Sequence, residues 1–187
     1  MKPHFLVAFV LILFAGCAGS IPTLPARSGG NPEQVDLTGQ WELRGAAEIP
    51  VEQDQTIHVP GVQDQRRQQA RRNGRRSKGS SVHIFLTAGR HLKVTQTAYG
   101  LFFSYDRAVV NEYNFGENRT ASIGPVEAQR VSGWEGATFV VETLDRAGNR
   151  LTERWSLTEG GAALQREISI DKGETNSLST TQVFERR

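Results

Sequence analysis

The chain has one cysteine among 187 residues, and beyond its first 16 residues it has no long apolar run. A lone cysteine excludes an internal disulfide and a cysteine-rich zinc site. The four histidines lack metal-ligand spacing, and no phosphate-binding glycine loop or Ser-His-Asp order is present. These absences predict a non-catalytic protein with no metal and no cofactor.

The N-terminus has the three parts of a secretory signal. Lys2 and His4 precede an apolar run over 5–14, which Ala15 and Gly16 follow. A ten-residue helix covers about 15 Å, whereas the hydrocarbon core of a bilayer is about 30 Å thick. The run is therefore too short for a stable membrane span, and we expect it to be removed.

The segment Phe14-Ala15-Gly16-Cys17 resembles the lipobox of bacterial lipoproteins, with Phe14 at a position where that family most often has leucine. The resemblance implies a signal peptide over 1–16, cleavage before Cys17, and palmitate-type acyl chains on that cysteine. Two or three such chains anchor a protein firmly. Family sorting rules also imply the periplasmic face of the outer membrane, because Ala18 rather than aspartate follows the cysteine.

The mature chain divides into two regions. Glycine, proline and small polar residues dominate 17–36, which predicts a lipidated flexible tether. A single β domain is predicted over 37–187. It opens with Leu37, Trp41 and Leu43, whose even spacing places them on one face of a strand.

A basic, low-complexity insertion at 65–80 interrupts this domain. The insertion has no acidic residue, whereas the whole chain has a formal charge of only +2. Its seven cationic residues are Arg66, Arg67, Arg71, Arg72, Arg75, Arg76 and Lys78. Without interleaved aromatics it does not favour nucleic-acid readout. It is either a solvated loop or a contact for an anionic envelope surface such as phospholipid head groups. No protein partner is indicated.

After the insertion the chain alternates short strand patterns with turn residues. Such a pattern predicts an all-β, antiparallel meander that forms a small barrel or a sandwich. The predicted strands cover 82–86, 92–97, 100–105, 109–115, 128–131, 138–144, 151–157, 164–170 and 180–184. Turns are predicted at 88–89, 115–118, 133–136, 145–149, 159–161 and 171–173.

Alternation places Glu153 and Trp155 on the apolar face of one strand and Arg166 on the apolar face of the next. An ionised carboxylate on an apolar face needs a partner, so Glu153 and Arg166 are expected to meet. One interpretation is a structural ion pair. The other is a barrel lumen in which Glu153, Arg166 and Trp155 bind a polar or anionic head group.

Two further features leave alternatives open. Glu142 lies in a strand with apolar residues on both faces, so its direction is ambiguous, and a hydrolase that uses Glu142 or Glu153 is the enzymatic alternative. In the aromatic patch 99–105, Phe103 is predicted on the core face and Phe102 on the opposite face. There, Phe102 is either packed or exposed to a ligand or lipid.

The motifs at 37–43, 133–143 and 151–157 resemble those of uncharacterised bacterial exported proteins with a lipocalin-like β domain. The resemblance implies a fold and no activity. We therefore expect a membrane-anchored, non-catalytic binding or interaction module, with a carrier of a small lipophilic or anionic ligand as the alternative.

Overall fold

The structure, a computed structural model, describes residues 23–45, 82–172 and 177–187. The signal peptide, Cys17 and the basic insertion lie outside these residues. Within the described ranges, no helix has the length and apolar character that crossing a membrane requires.

The described chain is almost entirely β. The strands are β1 (Gly39–Leu43), β2 (His91–Gln96), β3 (Gly100–Tyr105), β4 (Val109–Asn114), β5 (Glu117–Ile123), β6 (Val126–Glu135), β7 (Thr138–Asp145), β8 (Arg150–Thr158), β9 (Ala163–Asp171) and β10 (Ser177–Arg186). Two short 3₁₀ helices span Val82–Phe85 and Glu159–Gly161. The all-β fold predicted from the sequence is therefore confirmed.

All the strands form one antiparallel sheet in the order β4-β3-β2-β1-β10-β9-β8-β7-β6-β5. Because β1 pairs with both β2 and β10, the first and last strands join the two halves of the meander. The outermost strands, β4 and β5, are consecutive in sequence, so the sheet curls into a nearly closed barrel. The barrel is thus the form that the meander takes.

Side chains bridge the remaining opening between β4 and β5. The Ser132 hydroxyl donates to the Asn114 carbonyl over 2.8 Å, and the Glu117 carboxylate accepts from the Asn114 amide over 3.2 Å. Arg130 donates to Glu117 and to the Glu112 carbonyl. These contacts replace the backbone ladder that closes the rest of the barrel.

Three local predictions were wrong. Residues Val82–Phe85 form a 3₁₀ helix instead of a strand, because this segment packs across one end of the barrel and pairs with none of the described strands. Strand β5 was missed, since only Glu117 and Ala121 of its side chains are buried and its pattern is otherwise polar. Finally, β6 runs through Gly133 and Trp134 to Glu135, so the predicted turn at 133–136 begins only at its end.

The described part of the predicted tether differs from a free linker, because it packs on the outside of β6 and β7. Leu24 is buried against Val131 and Leu144, and Arg27 forms ion pairs with Glu135 and Glu142. Its apolar side chain and charge complementarity fix the segment in place.

Backbone contacts hold the same segment at β6. The Trp134 amide donates to the Ser28 carbonyl over 3.2 Å. A Cβ atom on Gly133 would come within 2.4 Å of that carbonyl oxygen, so only glycine permits this approach.

Candidate functional site

The barrel interior has two apolar clusters with a polar layer between them. Along β8 the inward side chains are Leu151, Glu153 and Trp155, and along β9 they are Ile168, Arg166 and Leu164. The charged pair is central in each series. The strand period of two therefore places both charges at one level of the barrel.

The first cluster is aromatic and centres on Phe103. Its ring centroid lies 4.6 Å from that of Trp155, 5.7 Å from Tyr113 and 6.4 Å from Phe139. Trp155 in turn lies 6.1 Å from Phe184 on β10. Since these residues come from five strands, the cluster ties both walls of the barrel together.

The second cluster is largely aliphatic and lies beneath the 3₁₀ helix. Val82 and Phe85 of the helix pack with Leu151, Ile168 and Ile170 of the barrel wall. We call 82–89 the cap segment, because it covers this end of the barrel.

The polar layer is organised around Arg166, whose side chain is only 1% exposed. Its Nε donates to the Glu153 carboxylate over 2.9 Å, and its Nη1 donates to the Thr87 carbonyl over 2.9 Å and to the Gln182 side-chain oxygen over 3.1 Å. Burial alone would lower the pKa of Arg166, but the charge and hydrogen bonds of Glu153 outweigh it and raise that pKa. The Arg166 guanidinium therefore stays charged.

The cap segment takes part in this layer. Thr87 accepts from Arg166 through its carbonyl, and its hydroxyl accepts from the Asn111 side-chain amide over 2.9 Å. Since Asn111 lies on β4 and Arg166 on β9, Thr87 links opposite walls. The cap is thus fixed by polar contacts as well as by its apolar side chains.

Around this layer stand several uncharged hydrogen-bond donors. The guanidinium of Arg166 lies 4.8 Å from the Trp155 ring and 5.7 Å from the Tyr105 ring. Trp155 is fully buried, and its indole Nε1 has no hydrogen-bond partner. Burial raises the pKa of the Tyr105 and Tyr113 hydroxyls, so both stay protonated donors at neutral pH.

The sequence predicted that Glu153, Arg166 and Trp155 face the barrel interior, and the structure confirms this direction. Glu153, Arg166 and Trp155 all face inward and contact one another, as alternation predicted. Their ligand-binding role stays a prediction.

Glu142 resolves differently. It lies on the outer face of β7, paired with Arg27, while Glu153 opposes Val141 on the inner face. The two carboxylates therefore lie on opposite faces of the sheet and do not form an acid/base pair.

Phe102 lies on the outer face of β3 and is half-buried, opposite to the fully buried Phe103.

Sequence reasoning assigned no site role to four polar members of the interior: Tyr105, Tyr113, Thr87 and Gln182. The tyrosines had a signal, because they follow the alternation of β3 and β4. Thr87 and Gln182 had none, since their role depends on long-range packing. Across the described residues, no group of acidic, histidine or cysteine side chains is placed to hold a metal ion.

No family model matches this chain, and no curated protein matches it significantly. Among the solved structures that are similar to it are two with the same TM-score. One is a secretory abundant heat soluble protein from Ramazzottius varieornatus, with a TM-score of 0.47 and 11% identity over 81% of this chain and 95% of that one. The other is described as the REP1-NXSQ fatty acid transporter, with a TM-score of 0.47 and 11% identity over 81% of this chain and 96% of that one. At this distance neither likeness assigns a ligand to this chain.

Proposed function

We propose that this barrel is a carrier that binds a small amphiphile in its interior, with the polar group of the ligand at the indole Nε1 of Trp155. The observation that carries the proposal is this buried N–H without an acceptor. Buried donors in native proteins are nearly always paired, so an unpaired one beside a polar layer favours an acceptor supplied by a ligand.

The charge balance of the site favours an uncharged polar group. Arg166 is neutralised by Glu153, and its remaining donors go to Thr87 and Gln182. An anion would have to displace Glu153 and leave that carboxylate unpaired, which is costly in a buried site. The donors of Trp155, Tyr105 and Tyr113 suit a carbonyl, ester or hydroxyl oxygen instead.

The apolar part of the ligand would lie along one of the two clusters. The aliphatic cluster is closed by the cap segment, whose Val82 and Phe85 are buried in it and whose Ile84 and Leu86 pack against it. Displacement of the cap would break the hydrogen bonds of Thr87 with Arg166 and Asn111 and expose this apolar cluster beside the polar layer. This gives the amphiphile a route and a place for its chain.

The test is isothermal titration calorimetry with 1-monolauroylglycerol and with laurate. We expect the uncharged lipid to bind more tightly, and Trp155→Phe to weaken it about fivefold, as loss of one hydrogen bond implies. Phenylalanine keeps the ring contacts with Phe103.

Trp134→Phe is the matched control, because the Trp134 indole Nε1 is also buried without a partner but lies on β6, away from Arg166. The affinity of Trp134→Phe for 1-monolauroylglycerol should equal that of the wild type. Equal losses in both variants, or tighter binding of laurate, would contradict the assigned position of the polar group.

A second candidate is a protein-interaction module with a permanently packed interior. The satisfied donors of Arg166 and the ring contacts of Phe103 favour it. The same titration separates the two candidates, since a packed interior binds neither lipid.

We further propose that the protein is a lipid-anchored component of the cell envelope, on the periplasmic face of the outer membrane. The support is the sequence Phe14–Cys17, and the basic residues of 66–78 would add contact with an anionic surface at about 1 kcal/mol each. Both features would place the barrel near lipids, where a carrier of amphiphiles has its substrate.

Expression in a Gram-negative host, followed by membrane fractionation and intact mass measurement, tests the anchor. The wild type should carry acyl chains and sediment with membranes, whereas Cys17→Ser should lose both. A wild type that carries no acyl chains and does not sediment with membranes would contradict the anchor.

Deletion of 66–78 from the Cys17→Ser variant should reduce its salt-sensitive adhesion to anionic vesicles. Undiminished adhesion would show that the insertion is a solvated loop.

A further inference from the structure

A second site is indicated on the outer face of the barrel, at the end of the β3–β4 hairpin. A groove of about 630 Å³ lies over β1, β2 and β3, and its polar lining includes Gln40, His91, Lys93, Ser104, Arg107 and Arg187. Grooves of this size accommodate small organic molecules. The lining is rich in cations, so its chemistry differs from that of the barrel interior.

Arg107 is the unusual residue of this groove. Every other arginine of the described residues has a carboxylate or carbonyl partner, from Arg27 with Glu142 to Arg187 with Glu42, whereas Arg107 has neither. Lys93, also exposed on β2, likewise has no hydrogen bond or ion pair within the described chain. Two cations at one groove thus have no ion-pair partner among the described residues.

The backbone at the tip of the β3–β4 hairpin has an uncommon conformation. Asp106 and Arg107 both have positive φ, at 48° and 61°. Aspartate tolerates this region, but an arginine there is strained where glycine or asparagine would fit. The tight hairpin turn, which the Ala108 amide closes by donating to the Tyr105 carbonyl over 2.9 Å, requires this conformation and presents the Arg107 guanidinium at its tip.

The acidic side chain among the described lining residues, Asp106, is already engaged. The Asp106 carboxylate accepts the His91 amide over 2.8 Å and the Arg90 amide over 3.1 Å, and these hydrogen bonds lower its pKa. It consequently braces the turn instead of neutralising Arg107. Because Arg187 is paired with Glu42, the excess positive charge of the groove comes from Lys93 and Arg107.

We infer that this groove binds the phosphate group of a small phosphorylated molecule about the size of a sugar phosphate. Arg107 supplies a guanidinium fork that matches phosphate oxygens, and Lys93 supplies a second charge. Ser104, which pairs with Lys93 in the β2–β3 ladder, and Gln40, which pairs with Lys93 from β1, offer polar contacts for the remainder of the molecule. This site is independent of the interior one.

Calorimetry of the full chain with glucose 6-phosphate and with glucose tests the inference. We expect saturable, salt-sensitive binding of glucose 6-phosphate and none of glucose. Arg107→Gly should weaken binding about tenfold. It should also leave the melting temperature equal or higher, since glycine relieves the positive φ. This variant therefore removes the charge without endangering the fold.

Arg146→Gly is the matched control, because Arg146 is 83% exposed in the β7–β8 turn, outside the groove. It should bind like the wild type. Equal binding of glucose, unchanged affinity in Arg107→Gly, or an equal loss in Arg146→Gly would overturn the inference. A last experiment measures binding to phosphatidylcholine vesicles that contain phosphatidic acid. If Arg107 were required for binding to these vesicles and the sugar phosphate did not bind, the assignment to a small soluble ligand would be overturned.

Discussion

Arg166→Ala is expected to lower the free energy of unfolding by about 3–5 kcal/mol, the usual cost of breaking a buried ion pair. The side chains of Arg166 and Glu153 are 1% and 3% exposed, so water cannot replace the lost guanidinium. The substitution also frees the Thr87 carbonyl, which anchors the cap segment. Urea denaturation followed by tryptophan fluorescence measures the change.

The neighbouring ion pair of Arg154 and Glu135 is the control, because its side chains are 39% and 42% exposed. Arg154→Ala should cost under about 1 kcal/mol. The double variant Glu153→Leu, Arg166→Met removes both buried charges and should recover most of the stability that Arg166→Ala loses. A loss below about 1 kcal/mol in Arg166→Ala would show that the interior is hydrated and that the pair is not buried in solution.

Phe103→Ala should destabilise the barrel by a similar amount, about 3–5 kcal/mol, because it empties the centre of the aromatic cluster. Its ring is fully buried and contacts Trp155, Tyr113 and Phe139. The measurement is the same denaturation experiment, with the cavity expected to leave the sheet intact.

The adjacent Phe102 provides a control of identical chemistry on the opposite face of β3. It is only half-buried, so Phe102→Ala should cost clearly less than Phe103→Ala. Similar losses in the two variants would contradict the orientation of β3 and, with it, the register that places Tyr105 beside Arg166.

The fold was largely readable from local patterns. A period of two in apolar residues identifies β8 and β9 as strands, and short apolar runs bounded by turn residues identify β3 and β7. The barrel itself depends on β1 pairing with β10 at the far end of the chain, as Trp41 opposite Arg186 shows. Such long-range pairing leaves no mark in a local window, which is why barrel and sandwich stayed open.

The errors have a common cause. The alternation of Val82, Ile84 and Leu86 predicts a strand over 82–86, yet this segment lies over the barrel end and pairs with none of the described strands. Residues 23–28 read as a linker because Leu24 and Arg27 are isolated in sequence, and their partners on β6 and β7 lie more than 100 residues away. Tertiary contacts decided both cases.

The interior site was half predictable. Alternation gives the inward direction of Glu153, Trp155 and Arg166, and the cost of an unpaired buried charge gives their contact. The acceptor at Thr87 and the free indole N–H of Trp155 depend on how the cap segment and β3 meet the layer. The Thr87 acceptor and the Trp155 N–H together determine whether the site accepts an anion or an uncharged group.

The most direct test of an interior ligand site is the indole N–H spectrum of the ¹⁵N-labelled protein. The chain has three tryptophans and hence three indole signals, which Trp155→Phe and Trp134→Phe assign. On addition of 1-monolauroylglycerol, the Trp155 signal should move downfield as it gains an acceptor. The Trp41 signal, whose Nε1 already donates to the Leu37 carbonyl over 3.2 Å, should stay in place. A Trp155 signal that does not move at saturating lipid would contradict the carrier account and leave the packed interaction module.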